Sequence, residues 1–115
     1  MSEPPELMQS ATATNDPILA KFRKALDKLY GSRIERVVLF GSRARGDPQP
    51  DSDYDVAVFL HHLTDRSGEV RRLADLQHRV MTVSDPYIDV IPFPAGTWSD
   101  RTTFMHELRR EGLDL

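Results

Sequence analysis

Three short runs, "IERVVLF" (34–40), "DYDVAVFL" (53–60) and "YIDVIPF" (87–93), are rich in β-branched and aromatic residues and flanked by turn formers. Runs of this length and make-up read as strands. Elsewhere the apolar residues recur at helical spacing. Ile18, Leu19, Phe22, Leu26 and Leu29 follow Asn15-Asp16-Pro17, a capping side chain with proline in the first turn, and Gly31 offers a stop. A first helix over about 16–30 is expected, with Lys21, Lys24 and Lys28 on its other face. A second is expected over about 67–82, capped by Asp65 or Ser67. It would turn Val70, Leu73, Ala74, Gln77 and Val80 inward and Arg71, Arg72, Asp75 and Arg79 outward. A third would start at Ser99-Asp100, bury Phe104, Met105 and Leu108, and end at Gly112. Pro92 ends the third strand or marks it as an edge. The order α-β-β-α-β-α implies an α/β (α+β) domain, a small sheet packed with helices.

The chain has 115 residues, the length of one domain, and 39% are hydrophobic, enough for a modest core. Residues 1–14, rich in Pro, Ser, Thr and Glu, read as a flexible tail, and the domain as 15–115. The N-terminus has no basic start followed by an apolar run, so no signal peptide is expected. No apolar run approaches the roughly 20 residues that span a bilayer. Cysteine is absent, which rules out disulfides and thiolate metal sites and fits a reducing cytoplasm. A formal net charge of −3 argues against direct binding of nucleic-acid backbone. Apart from Lys21, Lys24 and Lys28 the basic residues are arginines, which suit bidentate phosphate or carboxylate contacts.

Asp53 and Asp55 open the second strand. Residues two apart on a strand share a face, so the two carboxylates converge. Unpaired, they repel, and one tends to stay protonated. A divalent cation removes that cost, and hard oxygen ligands select Mg²⁺ or Mn²⁺ over zinc. Asp89 interrupts the third run between Ile88 and Val90, where its neighbours suggest burial, and a lone buried carboxylate needs a partner. If the strands are neighbours, the three acids can hold two metal ions about 4 Å apart, the arrangement of in-line phosphoryl transfer. The competing reading makes Asp53 and Asp55 turn and strand-edge residues bonded to amides or arginines.

Gly41-Ser42 ends the first strand, before a short "RAR" segment that could make one helical turn. Amides at such a turn, with a serine hydroxyl, can bind phosphate oxygens, and glycine allows close approach. A simple tight turn is the alternative. Arg43 and Arg45 could reach phosphates or pair with Asp47 or Asp51. The other phosphate and nucleophile signatures are missing, since Gly46 is followed by Asp47 and there is neither G-x-G-x-x-G nor G-x-S-x-G.

Gly41-Ser42, ten intervening residues, Asp53-Tyr54-Asp55, and an aspartate inside a later strand together resemble the minimal nucleotidyltransferases (MNT) of the DNA polymerase β-like superfamily. The "GSRARG" and "SDYDVAV" strings carry the resemblance, with Asp89 in "YIDVI" and the closing "FMHELRREGLDL", over roughly residues 16–115. It implies the small nucleotidyltransferase fold with a short mixed sheet. It implies that Asp53 and Asp55 bind both of two Mg²⁺ ions (or Mn²⁺), and that Asp89 completes the second site and orients or deprotonates the attacking hydroxyl. Gly41 and Ser42 would hold the β,γ-phosphates of ATP, and AMP would be transferred with release of pyrophosphate. Members of this size often act as antitoxins beside a HEPN-domain ribonuclease toxin, modifying a toxin tyrosine or simply binding the toxin. With one helix past the third strand, the acceptor site is expected to come largely from such a partner.

Two other classes compete. One is a binding protein that uses the fold as a scaffold, against which the three aspartates and Gly41-Ser42 speak. The other transfers to a small molecule and would need a dimer to enclose it. His61-His62 reads first as a turn and second as metal ligands. His78 and His106 lack a ligand partner at helical spacing, and Tyr54 is assigned to packing. Phe93 and Trp98 read first as core and second as a partner contact.

Overall fold

The computed structural model describes residues 16–46 and 53–115. Its elements are α1 (Pro17–Tyr30), a short 3₁₀ turn, β1 (Ile34–Phe40), β2 (Tyr54–Leu60), α2 (Arg66–Val80), β3 (Ile88–Pro94), a second 3₁₀ turn, α3 (Thr103–Glu111) and β4 (Leu113–Asp114). The proposed tail and residues 47–52 of the connection between β1 and β2, with Asp47 and Asp51, lie outside the described residues.

The sheet order is β3-β2-β1-β4. β1 runs antiparallel to β2 and to β4, and β2 runs parallel to β3, so the sheet is mixed. The end of β1 therefore lies beside the starts of β2 and β3. Period-2 alternation divides the side chains between two faces. Val37, Leu39, Tyr54, Val56, Val58, Leu60 and Ile88 pack with α1 and α2. Val38, Ala57 and Phe59 pack with Met105 and Leu108 of α3. Phe59 stacks on Phe93 with ring centroids 5.3 Å apart and meets Trp98 edge-on at 5.7 Å, so both aromatic residues serve the core. Among the described residues no helix is long and apolar enough to cross a membrane.

Asp16 caps α1, accepting from the amides of Ile18 (2.9 Å) and Leu19 (3.4 Å). Asp65 caps α2 through Gly68 N–H (3.1 Å). Thr102 caps α3 in place of the expected Ser99-Asp100, which fall at the end of the 3₁₀ turn. Gly112 ends α3 as expected.

The buried stripe of α2 is rotated from its expected position. Val70 and Ala74 are exposed, and Glu69, Leu73, Leu76 and Gln77 face inward. Two polar residues can lie there because each has dedicated partners. Glu69 accepts from the Tyr30 hydroxyl (2.7 Å) and Arg33 (3.2 Å). Burial, then this bond, pushes the Tyr30 hydroxyl pKa up. Gln77 donates to the Ile88 carbonyl (2.7 Å) and accepts from the Ile88 N–H. Its amide thus stands in for a neighbouring strand along the outer edge of β3. That edge also contains Pro92, in keeping with the edge position expected for proline. His61 and His62 are exposed turn residues whose carbonyls accept from Arg33.

Candidate active site

Phe40, Asp55 and Asp89 are consecutive register partners across β1, β2 and β3. Directly opposed residues share a sheet face, so Asp55 and Asp89 project to the same side, at the end of the sheet where β1 gives way to Gly41. Asp53 lies two residues before Asp55. Burial first, then the charges of Asp89 and Asp53, raise the Asp55 carboxyl pKa above its ordinary value, with Arg45 acting in the opposite sense. The three acids therefore bear on one another electrostatically.

Asp89 is exposed, contrary to the burial its apolar neighbours suggested. It sits near the start of β3, an edge strand of the sheet. Asp53 is also exposed and Asp55 half-buried. Among the described residues no three acids are drawn together tightly enough to hold a cation as they stand. Like charges separate when nothing neutralises them. The donor set itself, three carboxylates without sulfur or imidazole, suits a hard divalent cation, and the repulsion raising Asp55 is what a cation would relieve.

Gly41 has φ +78°, the left-handed region, and a Cβ at this position would run into Asp55 Oδ2. Only glycine allows the turn and the carboxylate to sit this close. Its carbonyl accepts from the amides of Ala44 and Arg45, each at 3.1 Å, so the "RAR" segment does wind into a single turn. Ser42 is half-buried in it.

The two arginines part ways. Arg43 lies over the ring of Tyr54, with its Cζ 4.1 Å from the centroid. Arg45 is exposed and pairs with Glu111 Oε2 of α3 at 3.6 Å. It is Arg45 whose positive charge reaches Asp55. The partner Glu111 and the bond from Tyr54 to Asp16 join residues 66 and 38 positions apart, and no local sequence pattern announces either.

Residues 19–110 match the family described as the nucleotidyltransferase domain. This chain belongs to that family. Two Methanocaldococcus jannaschii relatives of the nucleotidyltransferase are each named "putative protein adenylyltransferase". One is 26% identical over 98 residues, covering 85% of this chain and 95% of the relative. The other is 42% identical over 40 residues, covering 35% and 40% respectively. Among solved structures, the fold resembles a chain titled a "putative nucleotidyltransferase" from Sulfolobus solfataricus (TM-score 0.57, 17% identity, 99% of this chain and 89% of that one). It also resembles the Elizabethkingia meningoseptica CdnE cyclic dinucleotide synthase (TM-score 0.53, 20% identity, 70% and 39%). The mixed four-stranded sheet packed with helices is the nucleotidyltransferase fold.

Proposed function

We propose that this nucleotidyltransferase moves AMP from ATP onto a protein hydroxyl. The observation that carries the reading is the register pair Asp55–Asp89, with the left-handed Gly41 turn set directly against Asp55. One element offers a tight glycine turn for phosphate oxygens, and the other offers carboxylates for the cations that accompany a triphosphate. Asp53 and Asp55 would hold two Mg²⁺ ions, with Mn²⁺ as a substitute, and Asp89 would complete the second site. When bound, the ions would neutralise triphosphate oxygens and favour departure of pyrophosphate.

The chain's own groups would do the rest. Gly41 and Ser42 would hold the β,γ-phosphates through the turn amides and the hydroxyl. Asp89 would orient the acceptor hydroxyl and take its proton. The acceptor oxygen would then bond to the α-phosphorus, and the bond from that phosphorus to the bridging oxygen would break, releasing pyrophosphate. Arg45, whose charge already reaches Asp55, is placed to approach the phosphates once it leaves Glu111. Arg43 lies over the Tyr54 ring.

The protein acceptor is supported by the M. jannaschii relative that spans 85% of this chain. The resemblance to minimal nucleotidyltransferases supports a tyrosine of a partner HEPN ribonuclease toxin as the acceptor, with this chain as its antitoxin, and the absence of cysteine fits the cytoplasm. The test is incubation with α-³²P-labelled ATP, Mg²⁺ and the HEPN protein encoded beside it. Label should appear on the partner and vanish with Asp53→Ala. An unlabelled partner whose toxicity is still blocked by Asp53→Ala would replace the enzymatic antitoxin with a binding one.

A further inference from the structure

Tyr54, the middle residue of Asp53-Tyr54-Asp55, alternates away from the acids and is 3% exposed, among the α1/α2 side of the core. Among the described residues its side chain makes two specific polar contacts. The hydroxyl donates to Asp16 Oδ2, the same side chain whose Oδ1 caps α1. The ring face carries the Arg43 guanidinium at 4.1 Å. Arg43 belongs to the single turn that begins at Gly41-Ser42. One side chain therefore joins the start of α1, the start of β2 and the turn that follows β1.

We propose that Tyr54 is a positioning residue for the Gly41-Ser42 turn, acting through Arg43. A planar guanidinium stacked on a planar ring fixes the turn laterally, and the Asp16 bond fixes the ring in its own plane. The Ser42 hydroxyl and the amides at the head of the turn, ahead of the Ala44 and Arg45 N–H groups that the Gly41 carbonyl takes, then face the triphosphate without reorganising when it arrives. Arg43 works from behind the turn and does not touch the nucleotide. The inference rests on the reading of Gly41-Ser42 as the phosphate-holding turn and adds how that turn is kept in place.

The test is titration of the full chain with α,β-methylene ATP and Mg²⁺, alongside ATP-dependent transfer kinetics and thermal unfolding. Tyr54→Leu removes the ring and keeps apolar bulk, and should weaken binding and raise the KM for ATP about tenfold with kcat nearly unchanged. Tyr54→Phe keeps the platform and should stay within about threefold of wild type. Arg43→Gln should cost as much as Tyr54→Leu, and the double variant no more than either, because each acts through the other. Additive losses, or a loss with Arg43→Gln and none with Tyr54→Leu, would overturn the proposal in favour of direct phosphate contact by Arg43. Should Tyr54→Leu not fold, Arg43→Lys decides. It keeps the charge and loses the planar stack, so a positioning role expects weakened binding and a direct phosphate contact expects retained binding. If Asp55→Asn abolishes binding while the Tyr54 variants do not alter it, this inference fails alone. If Ser42→Ala and Asp55→Asn leave binding at the wild-type level, the phosphate-site reading falls and takes this inference with it.

Discussion

Asp55 faces Asp89 directly across the parallel junction of β2 and β3, and the charge of Asp89 is one of the forces that raise the Asp55 carboxyl pKa. A raised carboxyl pKa means that the folded chain binds this proton more tightly than the unfolded chain does. Stability then falls as pH rises from the ordinary value of 3.8 through the folded pKa, and the cost is fully present at neutral pH. Asp55→Asn removes that cost. It should raise the unfolding temperature at pH 7 without metal, and the gain should shrink toward zero as the pH falls below the ordinary value of 3.8, where both states become protonated. Thermal unfolding of both proteins across pH 3–8 measures this, and an equal or lower melting temperature for Asp55→Asn at pH 7 would contradict it. Transfer activity should be lost at every pH, because stability and function pull this residue in opposite directions.

Gly41 combines a left-handed φ of +78° with a Cβ position already occupied by Asp55 Oδ2. Gly41→Ala should cost about 1–2 kcal/mol for the backbone alone. Displacement of Asp55 should add to this and reduce transfer by about a hundredfold or more, as misplacement of a reacting group does. Gly46 has a similar φ of +76°, but among the described residues nothing lies where its Cβ would go. Gly46→Ala should therefore show the backbone cost with little loss of activity. Denaturant unfolding and transfer rates on the two variants separate the contributions of strain and space.

Gln77 is buried and bonds both the N–H and the carbonyl of Ile88, the residue before Asp89. Gln77→Leu would leave both backbone groups without their partner and should cost about 2–4 kcal/mol. Its effect should extend to activity, since β3 carries Asp89. A lowered urea midpoint with an unchanged slope would show lost stability within the same fold.

Much of this was legible from local pattern. "IERVVLF" became β1 with the boundaries its composition suggested, and Asn15-Asp16-Pro17 announced the start of α1. The spacing of Gly41-Ser42 from Asp53 and Asp55 was readable because the residues that approach in space are close in sequence. Periodicity failed in α2, where Glu69 and Gln77 are buried and Val70 is exposed. Hydropathy ranks Val70 above both, and only partners 39 and 11 residues away reverse the order. Asp89 deceived in the other direction. Apolar neighbours suggested burial, yet an edge strand can expose one position between two sheltered ones. Arg43 and Arg45 are indistinguishable in sequence, yet among the described residues Tyr54 engages the first and Glu111 the second.

The most direct test of the central claim is the fate of α-³²P-labelled ATP with the purified chain, Mg²⁺ and the protein encoded beside it, the HEPN partner proposed above. Label should move to a hydroxyl of that protein with release of pyrophosphate. It should require Mg²⁺ or Mn²⁺, and should fall about a hundred- to a thousandfold for Asp53→Ala, Asp55→Ala and Asp89→Ala alike, as expected when a transition-state charge stabiliser is removed. Transfer that persists in chelator, or that survives loss of all three carboxylates, would contradict the account.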